Sequence, residues 1–428
     1  EPPTDPEPPS DPEPPSDPEP PSDPEPPVVV PGSGWPFHAV PPATLYVAPY
    51  GSDSNDGRSP DRPLRTVQRA ANIVRPGDVV YLRGGVYPIQ VGFNTSGTAS
   101  QPIVWTSYPG EWAIFDGSDQ VPVDSSHRVW VTNVSWNVFT NFEVRHSPRE
   151  GIWINNSHDN VFRNVITHGN HYSGITNYMS NRNRFEYIVT FDNYDRYNPW
   201  GKPGDDADGI SIHTGDGNVV YRVVSFYNSD DGIDAWRSTN TVIDSSISFS
   251  NGRGSHGNGN GIKAGGNYEN NRTIVRNNLS FDNRSHGFDH NSGRLVTFLN
   301  NTSLGNGGYD FVADSTTTLY NNLATGARLS IGGATASHNS RNLGISNARF
   351  VTLHRDDPAF LSLAGDSPAI DAGRDVGLPF GGAAPDLGAL AYGQLHGHLI
   401  APMSLADIVA RSGVFGSSAL ASSAGAID

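Results

Sequence analysis

Cysteine is absent from all 428 residues. That excludes a disulfide scaffold, a thiolate zinc site and a cysteine nucleophile. It does not exclude secretion, because a core of this size needs no covalent staples. Charge is scarce, at 17% of residues, and positive charge is the scarcer: 28 Lys+Arg face 44 Asp+Glu, a net −16. A basic nucleic-acid footprint is therefore missing. No apolar run approaches the roughly 18 residues that cross a bilayer. The longest candidate, around Val28–Val30, stops at Pro31. Gly, Asn, Ser and Thr are plentiful instead, which suits a turn-rich β protein better than a helical bundle.

What is present is unevenly placed. Residues 1–27 hold nine carboxylates, no base and fourteen of the 34 prolines, in repeats of PPSDPE. Such a segment favours extended polyproline II and spans about 80 Å. Residues 1–35 are expected to be a spacer to another module, such as a carbohydrate-binding domain. The first residue is Glu1 rather than Met, so a leader or a preceding domain is expected upstream. Beyond residue 27 the chain carries 28 bases against 35 acids and is only mildly acidic.

Folded sequence is expected from about Thr44. Leu64, Val67, Ala70, Ala71 and Val74 fall at helical spacing and predict one short amphipathic helix, near Thr66–Val74, ended by Pro76-Gly77-Asp78. Thereafter short apolar runs alternate with Asn, Gly and Ser, and they repeat. Ser/Thr-Phe/Leu-x-Asn recurs, ending at Asn193, Asn228, Asn251, Asn283 and Asn306. A second column begins at Gly151, Gly174, Gly209, Gly232, Gly261, Gly287 and Gly308, with spacings of 21 to 35 residues. A period in the low twenties with longer loops predicts a right-handed parallel β-helix over residues 44–397, capped by the helix. Phe191, Phe226, Phe249, Phe281 and Leu304 are expected to stack in the interior, and the asparagines to form a ladder at the bends. Residues 398–428 are expected to be a tail.

Stacked rungs place equivalent positions about 4.8 Å apart. The residue before each column glycine reads Glu150, Ser173, Asp208, Asp231, Asn260, His286 and Gly307; two after it stand Trp153, Thr176, Ser211, Asp234, Lys263, Asp289 and Asp310. Asp208 thus lies near Asp231, and Asp234 near Lys263, with Asp230 beside them. Strand alternation turns Asp234 and Lys263 outward, since Ile233, Ala235, Ile262 and Ala264 flank them. Four carboxylates in two rungs repel unless a cation is bound, and hard oxygen ligands favour Ca²⁺. A lone Asp-Gly is ordinarily a turn; four aligned carboxylates are not. A lysine beside such a cation is a base when neutral, which predicts C5-proton abstraction from a uronate and β-elimination.

The runs SDDGIDAW, NGNGIKAGG and RTIVRNNLSFDNRSHGFDHN, with the opening YVAPYGSDSNDGRSPDRPLRTVQRAANIVRPGDVVYLRGGVY, resemble polysaccharide lyase family 9 over residues 44–330. The resemblance implies a secreted right-handed β-helix, in most members a pectate lyase, using Ca²⁺ and a lysine base. Position by position it implies Asp208, Asp230, Asp231 and Asp234 as metal ligands and Lys263 as base. Asp205 and Asp206 rival Asp208, but the column favours Asp208. An acidic polysaccharide, polygalacturonate or pectin, would be the substrate, and a monomer is expected. Two insertions offer Tyr194, Tyr197, Trp200, Lys202 and Arg253 as groove walls; Arg237 is placed to meet a second uronate. Asp53, Asn55 and Asp56 form either a turn or a second calcium site.

Two other readings compete. A polygalacturonase-like hydrolase would use Asp208, Asp230, Asp231 and His256. A non-catalytic carbohydrate-binding β-helix would keep calcium as cement, and Lys263 separates it from an enzyme.

Overall fold

The computed structural model describes residues 28–29, 36–118, 128–198, 201–266, 269–325, 328–400 and 408. Short strands wind as parallel rungs. Ten of them, from Val91–Phe93 to Leu329–Ile331, form one face of a right-handed β-helix, while the remaining rung strands close the other sides. The hydrophobic bore runs the whole length, built from alternate residues such as Ile210, Ile212, Ile233, Ala235, Ile262 and Ala264. No single rung could bury its apolar face, so the stacking itself makes the core.

The helix is shorter than the periodicity implies, Val67–Ala71, yet Leu64, Val67, Ala70, Ala71 and Val74 all enter the bore cluster. Thr66 caps it by accepting from Arg69 N, and Asp53 Oδ1 accepts from Arg65 N and Thr66 N at 2.9 Å each. Asp53 therefore anchors the helix start. Contacts also begin before Thr44: Val28–Val29 pairs antiparallel with Pro36–Phe37, and His38 N donates to Asn141 Oδ1 at 2.8 Å. Residues 1–27 lie outside the described residues.

The asparagine ladder forms as the repeats imply and starts one rung earlier, at Asn170. Nδ2 of Asn170, Asn193, Asn228, Asn251 and Asn283 each donates to the next asparagine Oδ1, at 2.8–3.0 Å. Each Oδ1 also accepts a backbone N–H, so the corner's polar groups are satisfied without water. The glycine column has a packing cause. Ser225 Oγ donates to Gly232 O and Ser248 Oγ to Gly261 O, at 2.7 Å each. A Cβ at Gly232 would collide with Ser248 Oγ. The rung at Phe311–Ala313 departs from the predicted spacing: Phe311 pairs with Phe288, so Asp310 and not Gly308 takes the column position. Its own carboxylate accepts from Ser303 Oγ at 2.7 Å, replacing the glycine carbonyl.

The phenylalanine stack exists but faces outward, correcting the interior placement. Phe191, Phe226, Phe249 and Phe281 stack with centroids 4.9–5.1 Å apart. Just before the first of their strands, Val189–Phe191, Ile188 joins the bore, while Val189 and Phe191 join a separate apolar cluster. That outer face is covered by the returning chain, through Phe360, Leu361, Ala389, Leu390 and Leu399. Among the described residues the last strand is Thr335–Ser337, and the segment after it seals the solenoid's flank. Burying such rings contributes on the order of 1.5–3 kcal/mol each.

Candidate active site

The site sits where three rungs of the ten-stranded sheet begin. Parallel pairing puts Ser211 opposite Asp234, Asp234 opposite Lys263, and Lys263 opposite Asp289. Their neighbours Ile233, Ala235, Ile262 and Ala264 fill the bore, so these side chains project from the outer face. Asp208, Asp231 and Asn260 precede their column glycines and form a second corner ladder. Asp231 N donates to Asp208 Oδ1 at 3.1 Å, and Asn260 N to Asp231 Oδ1 at 2.6 Å. Asp230 Oδ1 accepts from Asn258 N. One oxygen of each of these carboxylates is thus fixed by backbone.

The structure brings all five predicted residues together. Ligand atoms of Asp208, Asp230 and Asp231 lie within 4.8 Å of one another. Lys263 Nζ stands 2.5 Å from Asp231 Oδ2 and 3.0 Å from Asp234 Oδ2. All are buried, Asp231 completely. Four carboxylates against one ammonium leave an excess of buried negative charge, and Asp234 Oδ1 is buried with no hydrogen-bond partner. Buried carboxylates of this kind require a cation or a proton. The donors of the Asp208–Asp230–Asp231 group are all oxygen, which suits a hard cation such as Ca²⁺.

Electrostatics agree with that excess. Burial, then repulsion from Asp230, Asp234 and Asp231, holds the Asp208 carboxyl well above its ordinary range. Burial and Asp231 do the same to Asp230. Asp234 is pushed up to about 7, chiefly by burial, with Lys263 opposing and Asp231 adding. Burial alone would lower Lys263, but Asp231, Asp234, Asp230 and Asp208 outweigh it and hold its ammonium well above the ordinary lysine value. A carboxyl whose folded pKa is raised contributes stability that is complete below its unfolded pKa and lost as pH rises through the folded one. Metal-free protein is therefore expected to melt lower at about pH 8 than at about pH 5. Melts in chelator check this, and a melting point rising across that window would contradict it.

Sequence reasoning missed His213 and Asp195. His213 follows Ser211 on the outer face, and its Nε2 lies 2.9 Å from Ser211 Oγ. It offers an atom within 4.8 Å of ligand atoms of Asp208 and Asp234. Burial and Lys263 lower its pKa to about 4, leaving a neutral imidazole. The i+2 spacing from the Ser211 column carried that signal. Asp195 gathers Asp205 and Asp206 around the Asn198 carboxamide, whose Nδ2 donates to Asp195 Oδ2 at 3.0 Å and Asp206 Oδ2 at 2.7 Å. Asp205 and Asp206 are therefore engaged in the insertion, leaving Asp208 in the column.

The remaining candidates are placed differently. Arg253 pairs with Asp192 at 2.5 Å and lies over the Tyr194 and Tyr227 rings, so it braces the insertion. Lys202 is exposed and donates its backbone N–H to Asp205 Oδ2 at 2.7 Å. Arg237 is exposed at the end of the Asp234 strand, its guanidinium 4.5 Å from the Trp236 ring centroid. Trp200 lies outside the described residues. His256 is exposed, its Nδ1 meeting Ser255 Oγ at 3.0 Å and Pro203 O at 3.3 Å rather than a carboxylate of the cluster. It is not placed as the hydrolase reading requires.

A right-handed parallel β-helix bearing carboxylates and a lysine on its outer face defines the class, a β-helix polysaccharide lyase. Residues 45–325 match the family model described as Pel9A-like, right handed beta helix region, and the chain belongs to that family. Pectate lyase L of Dickeya dadantii (strain 3937) is 33% identical over 385 residues, covering 80% of this chain and 89% of that protein. Pectate lyase L of Paenibacillus polymyxa (strain SC2) is 32% identical over 368 residues, covering 79% and 80%. The crystal structure of pectate lyase Pel9A superposes with a TM-score of 0.74 at 28% identity, covering 83% of this chain and 97% of that one. The protein is thus a pectate lyase-like polysaccharide lyase. Among the described residues no helix is long and apolar enough to cross a membrane.

Proposed function

We propose that the protein cleaves polygalacturonate by calcium-dependent β-elimination, with Asp208, Asp230, Asp231 and Asp234 as ligands and Lys263 as base. The observation that carries this reading is Lys263 Nζ lodged among four buried carboxylates, one oxygen of which has no partner. Calcium bound there would engage the uronate carboxylate, draw charge from it and so acidify the C5 proton. With their charge engaged by a cation, Asp231 and Asp234 no longer hold a proton on Nζ, and burial then favours the neutral amine. Lys263 takes the C5 proton, the C–H electron pair becomes the C4–C5 double bond, and the C4–O bond breaks. The leaving oxygen departs with a proton from solvent or the lysine. Arg237, exposed beside Trp236, is suited to pair with the carboxylate of a neighbouring uronate.

The polymeric substrate argues for secretion, and the acidic, proline-rich residues 1–35 for a spacer to a carbohydrate-binding module. A monomer fits a groove lying on one solenoid face. The test is ultraviolet absorbance during incubation with polygalacturonate. A rise in calcium that excess chelator abolishes reports unsaturated uronate ends. New reducing ends without the rise would mean hydrolysis and would sink this reading.

A further inference from the structure

The bend that carries Asp230 and Asp231 is tight, but the next one is not. Asn228 and Gly232 stand four residues apart, as do Asn283 and Gly287, whereas Asn251 and Gly261 stand ten apart. The added loop, residues 252–259, has four glycines. It closes at its neck, where Gly252 and Gly259, at φ 89° and 74°, approach so closely that a Cβ on either would meet the other's Cα. Its outer part lies on the Asp230 bend: Gly254 N donates to Ser229 O at 2.9 Å, and a Cβ at Gly257 would strike the same carbonyl. The loop reaches the site through its backbone. Asn258 N donates to Asp230 Oδ1, Gly259 N lies 3.4 Å from that oxygen, and Asn260 N donates to Asp231 Oδ1 at 2.6 Å.

Arg284, one rung further on, holds this loop. It is exposed, yet its guanidinium donates to three of the loop's carbonyls: Nη2 to Gly257 O at 2.7 Å, Nη1 to Gly254 O, and Nη1 to Gly252 O at 3.4 Å. Its own backbone N–H donates to Asn251 O at 3.0 Å, and its Cβ lies against the neck, where a Cβ at Gly252 would collide with it. A planar fork of N–H donors can serve several carbonyls at once, which an ammonium cannot do with the same geometry. A glycine-rich loop loses the most backbone freedom on ordering, so it needs such a clamp. We infer that Arg284 is a positioning residue for the cation site. It orders residues 252–259 so that the Asn258 amide fixes Asp230 Oδ1 and the other oxygen of Asp230 is left to the cation. The inference rests on the calcium reading above and deepens it by naming what orders one ligand. Groups that orient a ligand from behind tune metal affinity without touching the metal.

The test is calorimetric titration of the full chain with calcium, for wild type, Arg284→Ala and Arg284→Lys. Arg284→Ala is expected to weaken calcium binding by about 10- to 100-fold. At saturating calcium its kcat on polygalacturonate should stay within about twofold of wild type, since the loss lies in cation binding alone. Arg284→Lys, which keeps the charge but not the fork, should fall between the two. A second arm combines Arg284→Ala with Asp230→Asn. Because Arg284 acts through Asp230, the double variant should bind calcium within about twofold of Asp230→Asn alone. Losses that multiply would mean general support of the fold and would overturn the inference, as would unchanged calcium affinity in Arg284→Ala. Thermal melts in chelator report folding, and if Arg284→Ala does not fold, Arg284→Lys carries the same comparison with Asp230→Asn. A wild type that binds no calcium would overturn the calcium reading and this inference together. A wild type that binds calcium but leaves polygalacturonate intact would sink the lyase reading, and the two calorimetric arms would still decide on Arg284.

Discussion

Lys263→Ala is expected to lower kcat on polygalacturonate by on the order of 10²–10⁴-fold in saturating calcium, with binding to the polymer largely kept. The reasoning is local. Lys263 is the one amine among the four buried carboxylates, and its flanking residues, Ile262 and Ala264, are locked in the bore. No other Lys or Arg is paired with Asp231 or Asp234 in the described ion pairs. The variant also has a stability signature. Without a cation it leaves buried carboxylates with no counter-charge, a loss of about 3–5 kcal/mol. In calcium that penalty should shrink. Lys263→Arg should restore the counter-charge and the metal-free melting point but not turnover, because a guanidinium stays protonated. Product absorbance and paired melts in calcium and chelator read both effects. An active Lys263→Ala enzyme would end the lysine-base mechanism.

Calcium itself should raise the melting temperature of the wild type. At a hundredfold excess over its dissociation constant a native-state ligand adds about 2.7 kcal/mol, which for a chain of this size is about 3 °C. Asp208→Asn should invert the two states. Asparagine can still accept the Asp231 N–H, so the corner ladder survives. In chelator the variant should melt higher than wild type, because it removes a carboxylate whose ionisation burial and three neighbours oppose. In calcium it should melt lower and lose most of the calcium increment, with activity falling by about a hundredfold or more. Differential scanning calorimetry in both conditions checks the crossing. Parallel shifts in the two conditions would place the cation elsewhere, and a wild type indifferent to calcium would remove it from the site.

The site was legible in the sequence because a parallel solenoid turns sequence period into spatial adjacency. Once Gly209, Gly232 and Gly261 are aligned, Asp208 must lie by Asp231, and Asp234 by Lys263, with only about one strand spacing between them. The asparagine ladder was legible for the same reason, since the same side chain recurs at the same bend. His213 was missed because its neighbours in the column are chemically unlike it. Asp195 was missed because the insertion that carries it, with Asn198, Asp205 and Asp206, obeys no repeat.

Other features depended on contacts that no local pattern encodes. Val189 and Phe191 look like core residues, and both faces of their strand are buried, so alternation cannot say which face is inside. Phe360, Leu390 and Leu399, more than a hundred residues later in the chain, return to cover the outward face and decide it. The rung at Phe311 slid by two residues, where Asp310 supplies by its side chain the acceptor that glycine supplies by its backbone. The sequence by itself determined the winding, the corner ladders and the carboxylate–lysine column, because in-register repetition makes each of them a nearest-neighbour property. Only the tertiary structure decided which apolar stripe faces the bore and how the insertion folds beside the site, because these depend on segments and contacts that no repeat encodes.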